Sequence, residues 1–573
     1  MAEVMEKTAA PTDISSSPVN EKDPAPEYRP ETEIHVVSAD SQPPSLEEYM
    51  HYASITQAEL KALEPEPTVM PWSQAKKREA HTPGLNPTAL STLAETGAPQ
   101  HANEAAVTSA EWQMANRSAR TATWFAVFYL ITTDILGPFS TPWAFAQLGY
   151  IPGAFLYTVF GAFAAYGGYM LYLMFLALDS DKFPVKTYSD LALRLYGEWF
   201  AAVCNALQAI QLFMLVGIII IQNGQSLSQM SQGKVCFIVL CFIWAVGGAL
   251  VGQIRTLRNV SWLSSISIYM NVFVLILTMA LAGRSGPDYA TALANNGVEQ
   301  GPVITTIGVP AGSTFSTQVV GLMQAVYSYG GSMLFIEFMA EMRRPWDFWK
   351  AMMASQVFIF CVYLFFGMLV YSFQGQFAIN PAYQGVASHT WQTVANSIML
   401  AQGLIAACLY GNIGIKVLYN SILRRFLGFP ELETKKGKIF WVGVVPIYWA
   451  LAFLLAAAIP QVSNLSALLA SVCIAQFTYV FPPFLMLGYS CQAGAIECRK
   501  QGGVAAPPTG LQNKFKDLCA GYMKRWAFNS FNLMMFLCAI VASVLGIYSS
   551  VLSLKTAYAG NSKPSFSCTS PVG

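Results

Sequence analysis

The chain has 573 residues, 54% of them hydrophobic and 11% charged, with a mean hydropathy of +0.41 and a formal net charge of +1. Soluble domains average roughly 25% charged residues, so this is an integral membrane protein, and its near-neutral balance gives no reason to expect a nucleic-acid partner. The eleven cysteines lie mostly in apolar runs, without a CxxC pair or a cysteine–histidine cluster. They read as small buried hydrophobes, neither a disulfide framework nor a metal site.

The first 120 residues are rich in Pro, Glu, Ser, Thr and Ala and lack both a long apolar run and a signal-peptide pattern. They are expected to form a disordered cytoplasmic tail. Within them Ser45 and Glu48 match a capping box ahead of "LEEYMHYASITQAELKALE", which stops before Pro65. That segment is either a transient helix in a solvated tail or a regulatory docking helix.

From residue 121 the chain holds eleven apolar runs long enough to span a bilayer, at about 20 residues each. They cover 121–149, 151–178, 199–223, 234–253, 261–283, 317–341, 351–373, 391–417, 439–460, 464–490 and 528–553. Between the second and third, "VKTYSDLALRLYGEW" is amphipathic and is expected to lie along the membrane surface. With the tail cytoplasmic, nineteen lysines and arginines fall in inner loops, and only Lys234, Arg284, Lys555 and Lys563 fall outside. This asymmetry puts the N-terminus inside and the C-terminus outside. The sequons at Asn116, Asn259 and Asn464 are then on the wrong side of the membrane or against a span, so none is expected to be glycosylated.

The first span contains "TTDILGPFSTPW", Thr132 to Trp143. Asp134 lies about twelve residues into the span, roughly 18 Å at 1.5 Å per residue, which is near mid-membrane. Pro138 and Pro142 remove backbone donors and Gly137 weakens the helix, so the segment is expected to be unwound. Unwound backbone at that depth requires protein or a water-lined cavity beside it. The sixth span has a second interruption, Tyr327 to Ser332, at a similar depth. Because five is odd, a repeat of five spans enters the membrane from opposite sides. Paired breaks at corresponding positions of inverted halves point to a transporter's central site.

A broken helix presents N–H groups at one half-helix end and carbonyls at the other, which suits the carboxylate and ammonium of an amino acid. Gly137, Phe139 and Ser140, with Ser328, Tyr329, Gly330, Gly331 and Ser332, are the expected substrate-binding residues; Pro138 offers only a carbonyl. Asp134 is expected to carry a proton or meet the substrate ammonium, or else to serve a structural hydrogen bond. Glu337 and Glu341, beside Arg343 and Arg344, form either an ion-pair gate or a proton relay. Asn205, Gln208 and Gln211 share one face of the third span, as pocket lining or as interhelical hydrogen-bond partners. The lack of a second buried charge favours neutral substrates. No HExxH motif, P-loop or pair of intramembrane histidines occurs in the sequence, so no enzyme and no cofactor is expected.

These residues resemble the amino acid/auxin permease family, within the superfamily built on a five-plus-five inverted repeat. The resemblance lies in "ILGPFSTPWAFAQLGY", "TYSDLALRLYG", "QIRTLRNVSWLS" and "YSYGGSMLFIEFMAEMRRPWDFWKA", and extends over residues 120–555. Gly137, Pro142 and Gly149 match family positions, whereas Ile135 stands where the first glycine of the usual pair would be, and Pro138 intrudes in the break. The resemblance implies an all-α protein of eleven spans with helices one and six broken, and secondary transport of amino acids, usually with protons. The long tail resembles fungal members. The expected partners are therefore an amino acid, the proton, the lipid bilayer and cytoplasmic regulators of the tail. The plasma membrane is the first expectation and the vacuole the second, with an organellar exporter, a channel or a sensor as alternatives.

Overall fold

The computed structural model describes residues 44–62, 120, 122–253, 261–432, 434–459, 461–502, 510–559 and 566–572. Among these the protein is nearly all helix, with two isolated β-bridges and no strands. The helices are α1 (Leu46–Ala62), α2 (Trp124–Ile135), α3 (Thr141–Leu148), α4 (Tyr150–Leu178), α5 (Tyr188–Tyr196), α6 (Glu198–Met230), α7 (Phe237–Val251), α8 (Ser261–Ser285) and α9 (Tyr289–Asn296). There follow α10 (Phe315–Ser328), α11 (Phe335–Glu341), α12 (Phe348–Gln374), α13 (His389–Leu418), α14 (Lys435–Ala458), α15 (Val462–Leu469), α16 (Phe481–Gln501), α17 (Leu511–Lys524) and α18 (Trp526–Ala559).

Nine of the described helical stretches are long and apolar enough to cross a membrane. The expected first span is divided between α2 and α3, and the fourth, α7, has 15 residues; a count of eleven adds these two to the nine. Apolar residues point outward along the spans, as Phe242 and Ile243 of α7 and Val541 and Val544 of α18 do, because lipid rather than water surrounds them. The core runs through the centre, where Phe145, Tyr157, Tyr329, Tyr363 and Trp449 are buried.

The surface segment after the second span forms α5, capped by reciprocal hydrogen bonds between Thr187 and Asp190. Arg194 of α5 donates to the carbonyls of Leu178, Phe183 (2.7 Å) and Pro184 (3.0 Å), which folds the connecting loop tightly. Asp179 in that loop receives Arg120 at 2.8 Å and the Val185 N–H at 2.9 Å. Burial pushes its carboxyl above the ordinary range, and Arg120 pulls it back.

On the opposite face, the cysteine reading requires a correction. Cys236 and Cys568, 332 residues apart, form a disulfide. It fastens the C-terminal tail to the start of α7, where Phe237 N–H also donates to Cys568 O at 3.0 Å. Neither cysteine belongs to a local pattern, so only the fold brings them together. The other nine cysteines are free, including Cys204, Cys241 and Cys473 in the core.

Candidate functional site

Both expected breaks are present. Helix α2 stops at Ile135; Leu136 is extended and Gly137 has φ −145° and ψ 65°, after which one 3-10 turn (Pro138–Ser140) leads into α3. Pro142 sits in the first turn of α3, where a missing N–H costs nothing. In the sixth span α10 ends at Ser328, Tyr329 to Gly331 form a turn, and a 3-10 turn (Ser332–Leu334) leads into α11.

The two breaks are packed directly against each other. A Cβ on Gly331 would stand 2.3 Å from Ile135 Cγ1 and 2.9 Å from Asp134 Oδ2, closer than atoms can approach. Glycine at 331 is therefore a condition of this contact, not merely of the local turn. The Tyr363 hydroxyl of α12 lies between the breaks. It meets the carbonyls of Ile135 and of Ser328 (2.8 Å) and accepts from Gly137 N–H at 3.3 Å. Asn271 of α8 donates to Leu136 O at 2.8 Å. Two side chains from remote spans thus satisfy backbone groups that unwinding would leave unpaired.

Beside the breaks lies a cavity of about 470 Å³, within the roughly 300–1,000 Å³ of small-molecule sites. Among the expected site residues, Asp134, Gly137, Phe139, Ser140, Ser328 and Gly330 line it. Tyr329, Gly331, Ser332 and Glu337 do not. Tyr329 is buried against Tyr157 and Tyr363, Gly331 makes the contact between the breaks, and Ser332 is buried. Glu337 receives Gln208 Nε2 of α6 at 3.1 Å. Glu341 does line the cavity, as do Gln211 and Gln402.

Asp134 Oδ1 accepts a hydrogen bond from Tyr410 of α13 at 3.0 Å. Asn271, Tyr363 and Tyr410 were not singled out in the sequence. Each is one polar residue in an apolar run, and nothing in its own neighbourhood says that it reaches the first break. Three buried atoms of cavity-lining residues have no hydrogen-bond partner among the described residues: Ser140 Oγ, Gln211 Oε1 and Asn271 Oδ1. Gln211 is only 2% exposed. All three can accept a hydrogen bond, so this wall suits a ligand rich in N–H donors.

The ends of the cavity differ. At one end Asn380, Pro381 and Tyr383 belong to a loop whose residues 377–386 are all buried. Amide groups hold that loop down: Gln384 donates to Gln222 O at 3.2 Å, while Gln229 and Gln392 donate to Gln384 O at 3.0 and 2.8 Å. Phe139 packs edge-on against Tyr383 with ring centroids 5.1 Å apart. At the other end the cavity reaches Glu341, which is exposed on the face that carries Arg120 and α1. There Ala122 and Arg343 pair the start of the first span with the end of the sixth, through Ala122 N–H to Glu341 O and Arg343 N–H to Ala122 O, both 3.0 Å.

Comparison with known proteins gives a consistent picture. The profile for transmembrane amino acid transporter proteins matches residues 120–491, which leaves α17 and α18 outside it. Similar chains include a "Transmembrane transporter" of Gibberella moniliformis, 22% identical over 64% of this chain and 76% of its own length. A "Transmembrane transporter" of Fusarium pseudograminearum is 22% identical over 79% of this chain and 88% of its own. An "N amino acid transport system protein" of Neurospora crassa is 22% identical over 63% and 74%.

Proposed function

We propose that this chain, which belongs to the transmembrane amino acid transporter family, is a symporter that moves neutral amino acids together with protons by alternating access. The observation that carries the reading is the single cavity wall shared by both helix breaks and Asp134. Backbone at the breaks supplies complementary dipoles for a carboxylate and an ammonium group. Gly137, Phe139, Ser140, Ser328 and Gly330 hold the substrate, with Tyr329, Gly331 and Ser332 shaping the turn behind them. Asp134 carries the coupling proton, its position fixed by Tyr410. Glu337, hydrogen-bonded to Gln208, serves as a second proton station behind the cavity wall.

Tyr363 and Asn271 support protons over a metal cation as the coupling ion. Of the groups that would coordinate such a cation at a helix break, Leu136 O accepts from Asn271, and the Tyr363 hydroxyl shares its one proton between Ile135 O and Ser328 O. A carboxylate that can bind or release a proton remains on the cavity wall. Among the cavity's carboxylates only Asp134 lies at the breaks, while Glu341 stands at the tail-side mouth, so the half-helix ends offer no second charge to a substrate side chain.

The chain sits with its tail face in the cytoplasm and its C-terminus outside, in the plasma membrane or, second, the vacuolar membrane. The lysine and arginine asymmetry supports this, and so does the disulfide, which lies at the far end of α6 from α5 and belongs in an oxidising compartment. The positions of the breaks support a five-plus-five repeat, with halves at about 121–283 and 317–490. Purified protein in liposomes tests the proposal. An imposed inward proton gradient should drive accumulation of a neutral amino acid, and collapsing the gradient should stop it. Accumulation driven by sodium, or indifferent to both gradients, would sink the coupling assignment.

A further inference from the structure

Helix α1 is packed on the tail face of the membrane domain, where it contacts the second span, the loop after it, α5 and the end of α16. Its residues 46, 48, 49, 50, 52, 53, 56, 57 and 60 are buried or half-buried, whereas 47, 51, 54, 55, 58, 59 and 61 are exposed. That is the i, i+3, i+4 stripe of a helix with one bound face. Ala53 at 1% exposed and Thr56 at 5% form its centre.

The bound face is tied at both ends. Gln57 donates to Leu176 O at the end of α4, and Thr56 Oγ1 accepts from Asp181 N–H at 3.2 Å. Tyr49 and Tyr52 pack edge-on against Phe183, with centroids 5.1 and 5.7 Å away. Arg194 of α5 lies 4.6 Å over the Tyr49 ring, and Lys182 lies 4.0 Å over Tyr52. Glu47 pairs with Lys500 of α16 at 2.9 Å. The docking loop is the one whose Asp179 receives Arg120, two residues before Ala122 pairs with the end of the sixth span. A helix on this loop therefore braces the mouth of the cavity without entering it.

An isolated helix of this length is marginal in water, so α1 gains its order largely from this surface. Residues 63–119 join it to Arg120, chain enough at about 3.3–3.6 Å per residue for α1 to leave while the first span stays in place.

From these contacts we infer that the groove formed by the end of α4, the 179–187 loop, α5 and the end of α16 is a binding site for residues 46–62 of this chain. Its occupancy holds the cavity open towards the tail and slows the return step of the cycle. The inference rests on the transport reading above. It deepens that reading by making the tail a built-in brake on the same site, because a segment bound to only one of two conformations shifts the balance towards that one.

Two measurements on the full chain test it. In liposomes Ala53→Glu, which puts a charge at the centre of the bound face, should raise the maximal rate of amino acid uptake by about threefold to tenfold. Thr56→Cys with Asp181→Cys, cross-linked by oxidation, should lower the rate, and reductant should restore it relative to unaltered protein given the same reductant. Separately, a Phe338→Cys reporter on the cavity wall should react with a thiol reagent added from the tail side more slowly when Ala53→Glu is present. A folded Ala53→Glu protein with unchanged or reduced uptake and unchanged labelling overturns the brake. If the unaltered chain moves no amino acid, the transport reading fails, while the labelling still decides whether α1 controls the cavity.

Discussion

Tyr410 donates a hydrogen bond to Asp134 Oδ1 at 3.0 Å, so the carboxyl on the first break is held by the eighth span rather than by its own helix. The bond separates two tests. Asp134→Asn keeps an acceptor for Tyr410 and should fold normally, yet lose gradient-driven accumulation while retaining exchange of substrate across the membrane. Tyr410→Phe keeps the proton carrier and frees its position. Loss of one hydrogen bond to a charged group, about 1.5–3 kcal/mol, should lower uptake roughly tenfold to a hundredfold with coupling intact. Uptake driven normally by the gradient in Asp134→Asn would return the aspartate to a structural role.

Gly331→Ala should force the two breaks apart. The added methyl meets Ile135 Cγ1 at 2.3 Å and Cδ1 at 2.6 Å, and overpacking of this kind costs about 1–3 kcal/mol. Melting of the purified protein should fall, and Ile135→Ala in the same chain should recover part of the loss. Gly137→Ala faces open space by comparison, its nearest neighbour being Ile135 O at 4.0 Å, and should melt close to the unaltered protein.

Tyr363→Phe removes the acceptor of Gly137 N–H and the one proton shared between the carbonyls of Ile135 and Ser328. A buried polar group left unpaired costs about 1–3 kcal/mol. The variant should show a lower melting temperature and little uptake, and the loss should exceed that of Tyr157→Phe on the neighbouring span.

Gln211→Leu should not destabilise the fold, because the Gln211 Oε1 atom has no partner among the described residues. Its effect should appear in binding. The half-saturating substrate concentration should rise by about tenfold, equivalent to ~1.4 kcal/mol, with the maximal rate nearly unchanged. An unchanged half-saturating concentration would remove Gln211 from the binding surface.

The disulfide gives a topology test. In intact cells, a membrane-impermeant maleimide should label Cys236 and Cys568 only after external reduction, and Cys236→Ser with Cys568→Ser should abolish that added signal. Labelling that requires permeabilised cells would place this face in the cytoplasm or inside an organelle.

The membrane class, the two breaks and Asp134 are legible in the sequence, because each depends on local chemistry. Apolar runs partition into lipid wherever they occur, and Pro138, Pro142 and the Gly330–Gly331 pair disturb helical backbone whatever surrounds them. Which break residues face the cavity was decided only by tertiary structure. Ser328 and Gly330 line it while Tyr329 and Gly331 turn away, since the rotation of each half-helix is set by packing against other spans. The same reason hid Tyr363, Asn271, Tyr410 and the Cys236–Cys568 pair, whose partners lie 135 to 332 residues distant apart from the Ser328 carbonyl. It also decided the fate of α1. Its capping signal, Glu48 N–H to Ser45 Oγ at 3.3 Å, was local and legible, but the groove that binds it is assembled from two stretches of chain, the end of α4 through α5 and the end of α16.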